Sequence, residues 1–195
     1  MQVSNAMEEK RSRLPLIMVI SMLACIVGAI FCWGVYAKTA HQAALIACLI
    51  FAAFTAHFLI IYTFTPLTYA FLGKRIHYSL PWFRPKRFEK ALYARLGVKR
   101  WKSHIPTYNY DEFSLSKHTP EEVIQNMCYA EAVHEVIFAA SYLPVLLGLM
   151  FSHVLLFLVT SCLFSIVHLF FVIVQRYNRP RLVRLYELRK IRHPQ

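Results

Sequence analysis

The chain has 195 residues, 57% of them hydrophobic and only 16% charged, with 22 Lys and Arg against 10 Asp and Glu and a formal net charge of +12. With a mean hydropathy of +0.43, this apolar surplus is too large for a soluble domain and marks an integral membrane protein. The basic balance comes without a nucleic-acid motif, the five Cys lack CxxC spacing and the nine His lack an HExxH pattern, which argues against nucleic acid and against a metal site. Residues 1–6 end in Ser4-Asn5-Ala6 and read as a vector-derived tag, leaving residues 7–195 as one membrane domain with Met7 as the native start.

The elements follow in chain order. Residues 14–36 are uncharged and long enough to cross a bilayer with some tilt. Lys38 and His41 mark a short turn, and a second span covers residues 43–72, with Pro66 near its end and Gly73 closing it. The connection over residues 73–129 is too long to be bare chain. Its first part mixes Tyr78, Trp82 and Phe83 with Arg84, Lys86 and Arg87, as a segment in the headgroup layer would. Phe88, Leu92 and Leu96 recur at helical spacing opposite Lys90, Arg95 and Lys99, which predicts an amphipathic surface helix stopping at Gly97. A further helix over residues 116–128 is expected to be capped by Thr119, with Pro120 in its first turn.

Between Ala132 and Val174 there is one acid and no Lys or Arg. A single helix of that length would extend roughly 65 Å, about twice the hydrocarbon thickness, so the chain must fold back. Residues 148–153 supply the turn, giving spans near 130–149 and 153–175 and a tail at 176–195. Under this four-span topology every Lys and Arg except Lys38 lies on one side of the membrane, which by the positive-inside rule is the cytoplasm, with both termini there. The predicted fold is all-α and integral to the membrane: four transmembrane helices with a cytoplasmic amphipathic-helix subdomain between the second and third.

The last span ends abruptly in Gln175-Arg176-Tyr177-Asn178-Arg179-Pro180-Arg181. Cations alone would serve for snorkelling; Gln, Tyr and Asn add donors and acceptors of fixed geometry, as a site needs. In an antiparallel hairpin turning near Ser152, Glu131, His134, His168 and Gln175 fall at one depth. Glu131 and His134 are spaced i, i+3 on one face, so the carboxylate is expected to orient the imidazole as a general base; both could equally be ordinary interfacial residues. Glu135 points to another helix face, and His57, which reaches a comparable depth from the first hairpin, is read as a satisfied interior histidine. Arg176, Arg179 and Arg181 could clamp phosphate or carboxylate, or anchor against anionic lipid; Arg184, Arg189, Lys190 and Arg192 suit anchoring alone. Trp101-Lys102 suits either a headgroup-level anchor or a seat for a donor headgroup.

The segment Val174-Gln175-Arg176-Tyr177-Asn178-Arg179-Pro180-Arg181-Leu182 resembles the C-terminal signature of the glycosyl-4,4'-diaponeurosporenoate acyltransferase family, small bacterial membrane enzymes of carotenoid biosynthesis. Arg100-Trp101-Lys102 followed by Ile105, and Ala130-Glu131-x-x-His134 leading into Leu143-Pro144-Val145, match in the same order. The resemblance covers roughly residues 85–190. It departs at His168, where the family tends to have Asn, at Phe170 in place of Pro, and at Glu135 in place of an aromatic.

It implies transfer of a fatty acyl chain onto a sugar hydroxyl of a membrane glycolipid, a glycosylated carotenoid or a related one, in a bacterial cell membrane. Glu131, His134, Gln175, Arg176, Tyr177, Asn178 and Arg179 are its candidate functional positions. The donor expected at the cytoplasmic leaflet is an acyl thioester acting as co-substrate, with a phospholipid donor as the variant. No bound cofactor is expected, and nothing in the sequence sets the oligomeric state. The contrasting possibility is a non-catalytic membrane protein that binds anionic lipid or a partner through its basic face, for which Gln and Asn would have no use.

Overall fold

The computed structural model describes residues 13–192. The tag assigned to residues 1–6 lies outside them, as do Lys10 and Arg11. The described residues are helical with turns and contain no strand, and four helical stretches are long and apolar enough to cross a membrane: Leu14–Thr39, Gln42–Leu72, Pro120–Met150 and Val154–Leu188.

Helix α1 (Leu14–Thr39) is apolar all round and ends at Ala40, which takes a left-handed turn at φ 53° and returns its N–H to the Tyr36 carbonyl. None of its residues is buried, the condition of a helix whose surroundings are lipid. Helix α2 (Gln42–Leu72) packs along α1 and turns Leu49, Ala53, His57, Ile60 and Thr68 inward. The connection that follows is wound into short turns and two small helices, α3 (Glu89–Arg95) and α4 (Val98–Trp101). Gly97 separates them at φ +61°, a conformation in which a side chain would be strained. Phe88, Leu92 and Leu96 are exposed, while Glu89 and Tyr93 are buried against the body.

Helix α5 (Pro120–Ala140) starts on a complete capping box: Thr119 Oγ1 accepts from the Glu122 N–H, and the Glu122 carboxylate accepts from the Thr119 N–H at 2.8 Å. The helices expected over residues 116–128 and 130–149 are therefore one helix, running from the surface segment into the bundle. It stops before Pro144, and a short helix α6 (Val145–Met150) completes the crossing. The chain reverses at residues 151–153, where Ser152 has φ 58° and the His153 N–H returns to the Gly148 carbonyl. A Cβ on Gly148 would stand 2.9 Å from the Val154 Cα, so only glycine lets the two crossings approach this closely.

Helix α7 (Val154–Arg192) has 39 residues and is roughly 58 Å long, so it outruns any bilayer. The stretch expected as a tail from residue 176 is its second half. Pro180 lies inside it and deprives the Arg176 carbonyl of its helical donor. Tertiary contacts on both sides of the proline offset that loss, including the Tyr186 hydroxyl donated to Glu121 at 2.7 Å. The core lies among α2, α5 and α7, with Ile60, Val133, Ile137 and Ala140 in one cluster and Leu49, Ala53 and Phe157 in another. Small buried residues, Ala53, Ser141, Ser161 and Ser165, bring these helices close.

Candidate functional site at the junction of α5 and α7

Where α7 leaves the apolar core, its face toward α5 carries Arg176 and Arg179. Both guanidinium groups meet Glu131, which is 0% exposed: Arg176 Nη1 donates to Oε1 at 2.6 Å, and Arg179 Nη1 donates to Oε2. Arg176 also grips Glu89 of α3, donating from Nε at 2.9 Å and Nη2 at 2.7 Å to Oε1. The remaining donors go to backbone. Arg179 Nη2 reaches the Phe83 carbonyl at 2.7 Å, and Arg176 Nη1 the Trp82 carbonyl at 3.3 Å. Phe83 is buried with its ring 5.0 Å from the Arg179 guanidinium carbon, beside a cluster of Ile76, Cys128 and Ala132. Two arginines and two carboxylates thus pin the 82–89 segment onto the bundle. Both Glu131 oxygens and every Arg176 nitrogen have a partner, which offsets much of the penalty of burying charge.

One turn along α5, the surroundings change. His134 Nδ1 lies 3.0 Å from His168 Nδ1, and His168 Nε2 lies 3.2 Å from His57 Nε2. Three imidazoles from α5, α7 and α2 thus form one hydrogen-bonded chain. Phe171 stacks on His134 with ring centroids 4.5 Å apart, and Phe164 stacks on His57 at 3.7 Å, which fixes both ring planes. The two ends of the chain are open. His134 Nε2 has no partner among the described residues, and His57 Nδ1 is buried and unpartnered.

The opposite flank of α7 meets α4 and the turn after it. Lys102 Nζ donates to Asn178 Oδ1 at 2.6 Å and stands 5.0 Å from the Tyr177 ring centre, while the Arg181 guanidinium lies 3.9 Å over the same ring. Trp101 packs edge-on against Phe170 at 5.2 Å and donates its indole N–H to the Leu96 carbonyl. Tyr93 meets Tyr177 edge-on at 6.0 Å; burial, and next Glu89 beside it, lift its hydroxyl above the ordinary phenol pKa.

The single layer expected from depth is therefore two layers and a flank. Glu131 makes no hydrogen bond to His134 among the described residues: its two oxygens accept from the guanidinium groups, and His168 is the partner of His134. Arg179 is 2% exposed, with Nη1 turned to Glu131 and Nη2 to the Phe83 carbonyl, so it presents no open fork to a donor phosphate, and Arg176 is similarly engaged. Gln175 is half-buried and makes no side-chain hydrogen bond among the described residues.

Three contributors stand outside the sequence-derived set. Glu89 carried a signal, being the only acid between Gly73 and Tyr110, on the polar flank of an amphipathic helix. His57 was placed at the right depth and differs in having a histidine partner and an open Nδ1. The carbonyls of Trp82 and Phe83 have no side-chain signature. Glu135, an acid where the resemblance expects an aromatic, accepts from the Trp82 indole at 2.8 Å.

The described residues thus form a helical membrane protein with an ionic lock, a histidine chain and a cationic flank at one end of its bundle. Residues 79–188 match the model of the family described as CrtO, glycosyl-4,4'-diaponeurosporenoate acyltransferase, and this match spans more than half of the chain. The chain belongs to that acyltransferase family. No curated protein and no solved structure matches it. The matched segment includes Glu89, both layers from α5 and α7 and the flank, whereas His57 on α2 lies outside it.

Proposed function

We propose that the chain is a membrane O-acyltransferase that moves a fatty acyl chain from an acyl thioester onto a sugar hydroxyl of a membrane glycolipid, a glycosylated carotenoid or a close relative, at the cytoplasmic leaflet of a bacterial cell membrane. The observation that carries the mechanism is the open Nε2 of His134 at the end of an imidazole chain. With Nδ1–H of His134 donating to His168 and Nε2–H of His168 donating to His57, each contact holds one proton and His134 Nε2 keeps its lone pair. That nitrogen takes the proton of the sugar hydroxyl as its oxygen attacks the thioester carbonyl. The tetrahedral intermediate collapses by breaking the carbon–sulfur bond, and the His134 imidazolium returns its proton to the departing thiolate.

Gln175 and the Nδ2 of Asn178, both without a partner among the described residues, are the candidate donors to the carbonyl oxygen. Glu131, Arg176 and Arg179 hold the surrounding shape, and Tyr177, Arg181, Trp101 and Lys102 face the donor. The asymmetry of Lys and Arg supports placing both termini and this end of the bundle in the cytoplasm.

The test offers labelled acyl thioester and a glycolipid acceptor to the protein in proteoliposomes. His134→Gln is expected to lower transfer by about 10²–10⁴-fold, the usual range for a lost general base, with the protein still folded. Undiminished transfer would remove His134 from the reaction.

A further inference from the structure

A cleft of about 700 Å³ opens between α3–α4 and the second half of α7, and it is lined by Lys86, Lys90, Arg95, Lys99, Arg100 and Arg181. Among the described residues that line it the one acid is Glu89, whose Oε1 already accepts from Arg176. Lys90, Arg95, Lys99 and Arg100 make no ion pair or hydrogen bond among the described residues. Like charges gathered in one concave place without counter-ions repel one another, and an anion entering the cleft relieves that repulsion. The left-handed turn at Gly97 brings Arg95 of α3 and Lys99–Arg100 of α4 to the same opening. Tyr93 and Tyr177 form an aromatic wall, with the Arg181 guanidinium already 3.9 Å over the Tyr177 ring.

We propose that this cleft binds the phosphate groups of the acyl donor. The proposal rests on the transfer reaction above and adds the place where the donor is held. Arginine forks and lysine ammonium groups suit several phosphate oxygens together, and the volume suits a group of nucleotide or headgroup size. Arg181 and Phe171 are ten residues apart on α7, so phosphates bound at the cleft lie roughly 15 Å along the helix from the level of His134. The acyl-bearing arm of the donor spans that interval. The same phosphate chemistry occurs in two sources: the phosphorylated carrier of a soluble thioester and the phosphodiester headgroup of a lipid.

The experiment uses the full chain in nanodiscs of zwitterionic lipid, titrated in one arm with coenzyme A and in the other with spin-labelled phosphatidylglycerol. The double variant Lys90→Glu/Arg100→Glu reverses two exposed cleft cations. Arg184→Glu reverses an exposed cation outside the cleft and controls for general charge. The double variant is expected to weaken at least one probe by about tenfold or more, the size of one or two lost charge-assisted contacts, while Arg184→Glu changes it by less than about twofold. The arm that responds names the source. Two probes indifferent to the double variant, or equally weakened by Arg184→Glu, would overturn the proposal. Cleft-dependent binding in a protein that transfers no acyl group would refute the reaction and keep the anion site; transfer untouched by the double variant would refute the cleft alone.

Discussion

One helical turn of α5 separates Glu131 from His134, yet the two occupy opposite kinds of polar surroundings. Around Glu131, two arginines, a second carboxylate and the carbonyls of residues 82 and 83 close a network in which both Glu131 oxygens and every Arg176 nitrogen are engaged. Around His134, three imidazoles share two hydrogen bonds and leave a nitrogen open at each end. A saturated network rigidifies what it connects, and here it fastens the 82–89 segment and α3 to the bundle. An incomplete one keeps a lone pair for chemistry. In this molecule the residues with the most conspicuous charge hold the scaffold, and it is the rings beside them to which the proposed reaction gives the base.

The largest effect that would break this comparison is expected at Glu131. Glu131→Ala leaves the buried Arg179 guanidinium without its carboxylate and Arg176 with Glu89 alone, and should destabilise the protein by about 3–5 kcal/mol. Thermal unfolding in detergent measures that loss, and transfer should fall only in step with the folded fraction. A stable but inactive Glu131→Ala protein would place catalysis in the ionic layer. His168→Phe sharpens the other half. It keeps an aromatic ring in the core but removes the partner of His134 Nδ1, and should lower kcat by about tenfold, the worth of one hydrogen bond in the transition state, with KM little changed. Equal kcat in wild type and variant would reduce His168 to packing.

Much of the fold was legible in the sequence because hydrocarbon imposes a simple code. Four apolar stretches of spanning length, the Thr119-Pro120 helix start and the stop at Gly97 each follow from a local rule that the surroundings do not override. The continuation of α7 through Pro180 was not legible. Hydropathy reports where lipid ends, not where a helix ends, and what carries this helix past a proline is tertiary: Glu131 and Glu89 on one side, Glu121 on the other.

The site was half legible for a related reason. Depth in the membrane can be counted along a hairpin, so Glu131, His134 and His168 were brought to neighbouring levels. Azimuth cannot be counted that way. Residues at i and i+3 differ by roughly 60° around the helix axis, enough for Glu131 to face the arginines while His134 faces His168. Glu89 was hidden further, because its approach to Arg176 depends on how the connection between the second and third crossings folds back.

The most direct test of this division of labour is the rate of acyl transfer per folded molecule for Glu131→Gln and His134→Gln, measured side by side with labelled acyl thioester in proteoliposomes. The expected result is a Glu131→Gln protein that is less stable yet retains, per folded molecule, a rate within about tenfold of wild type, and a His134→Gln protein that melts as wild type does and has lost at least about a hundredfold. The opposite pattern, full turnover without the His134 imidazole and none without the Glu131 carboxylate in an equally stable protein, would contradict it.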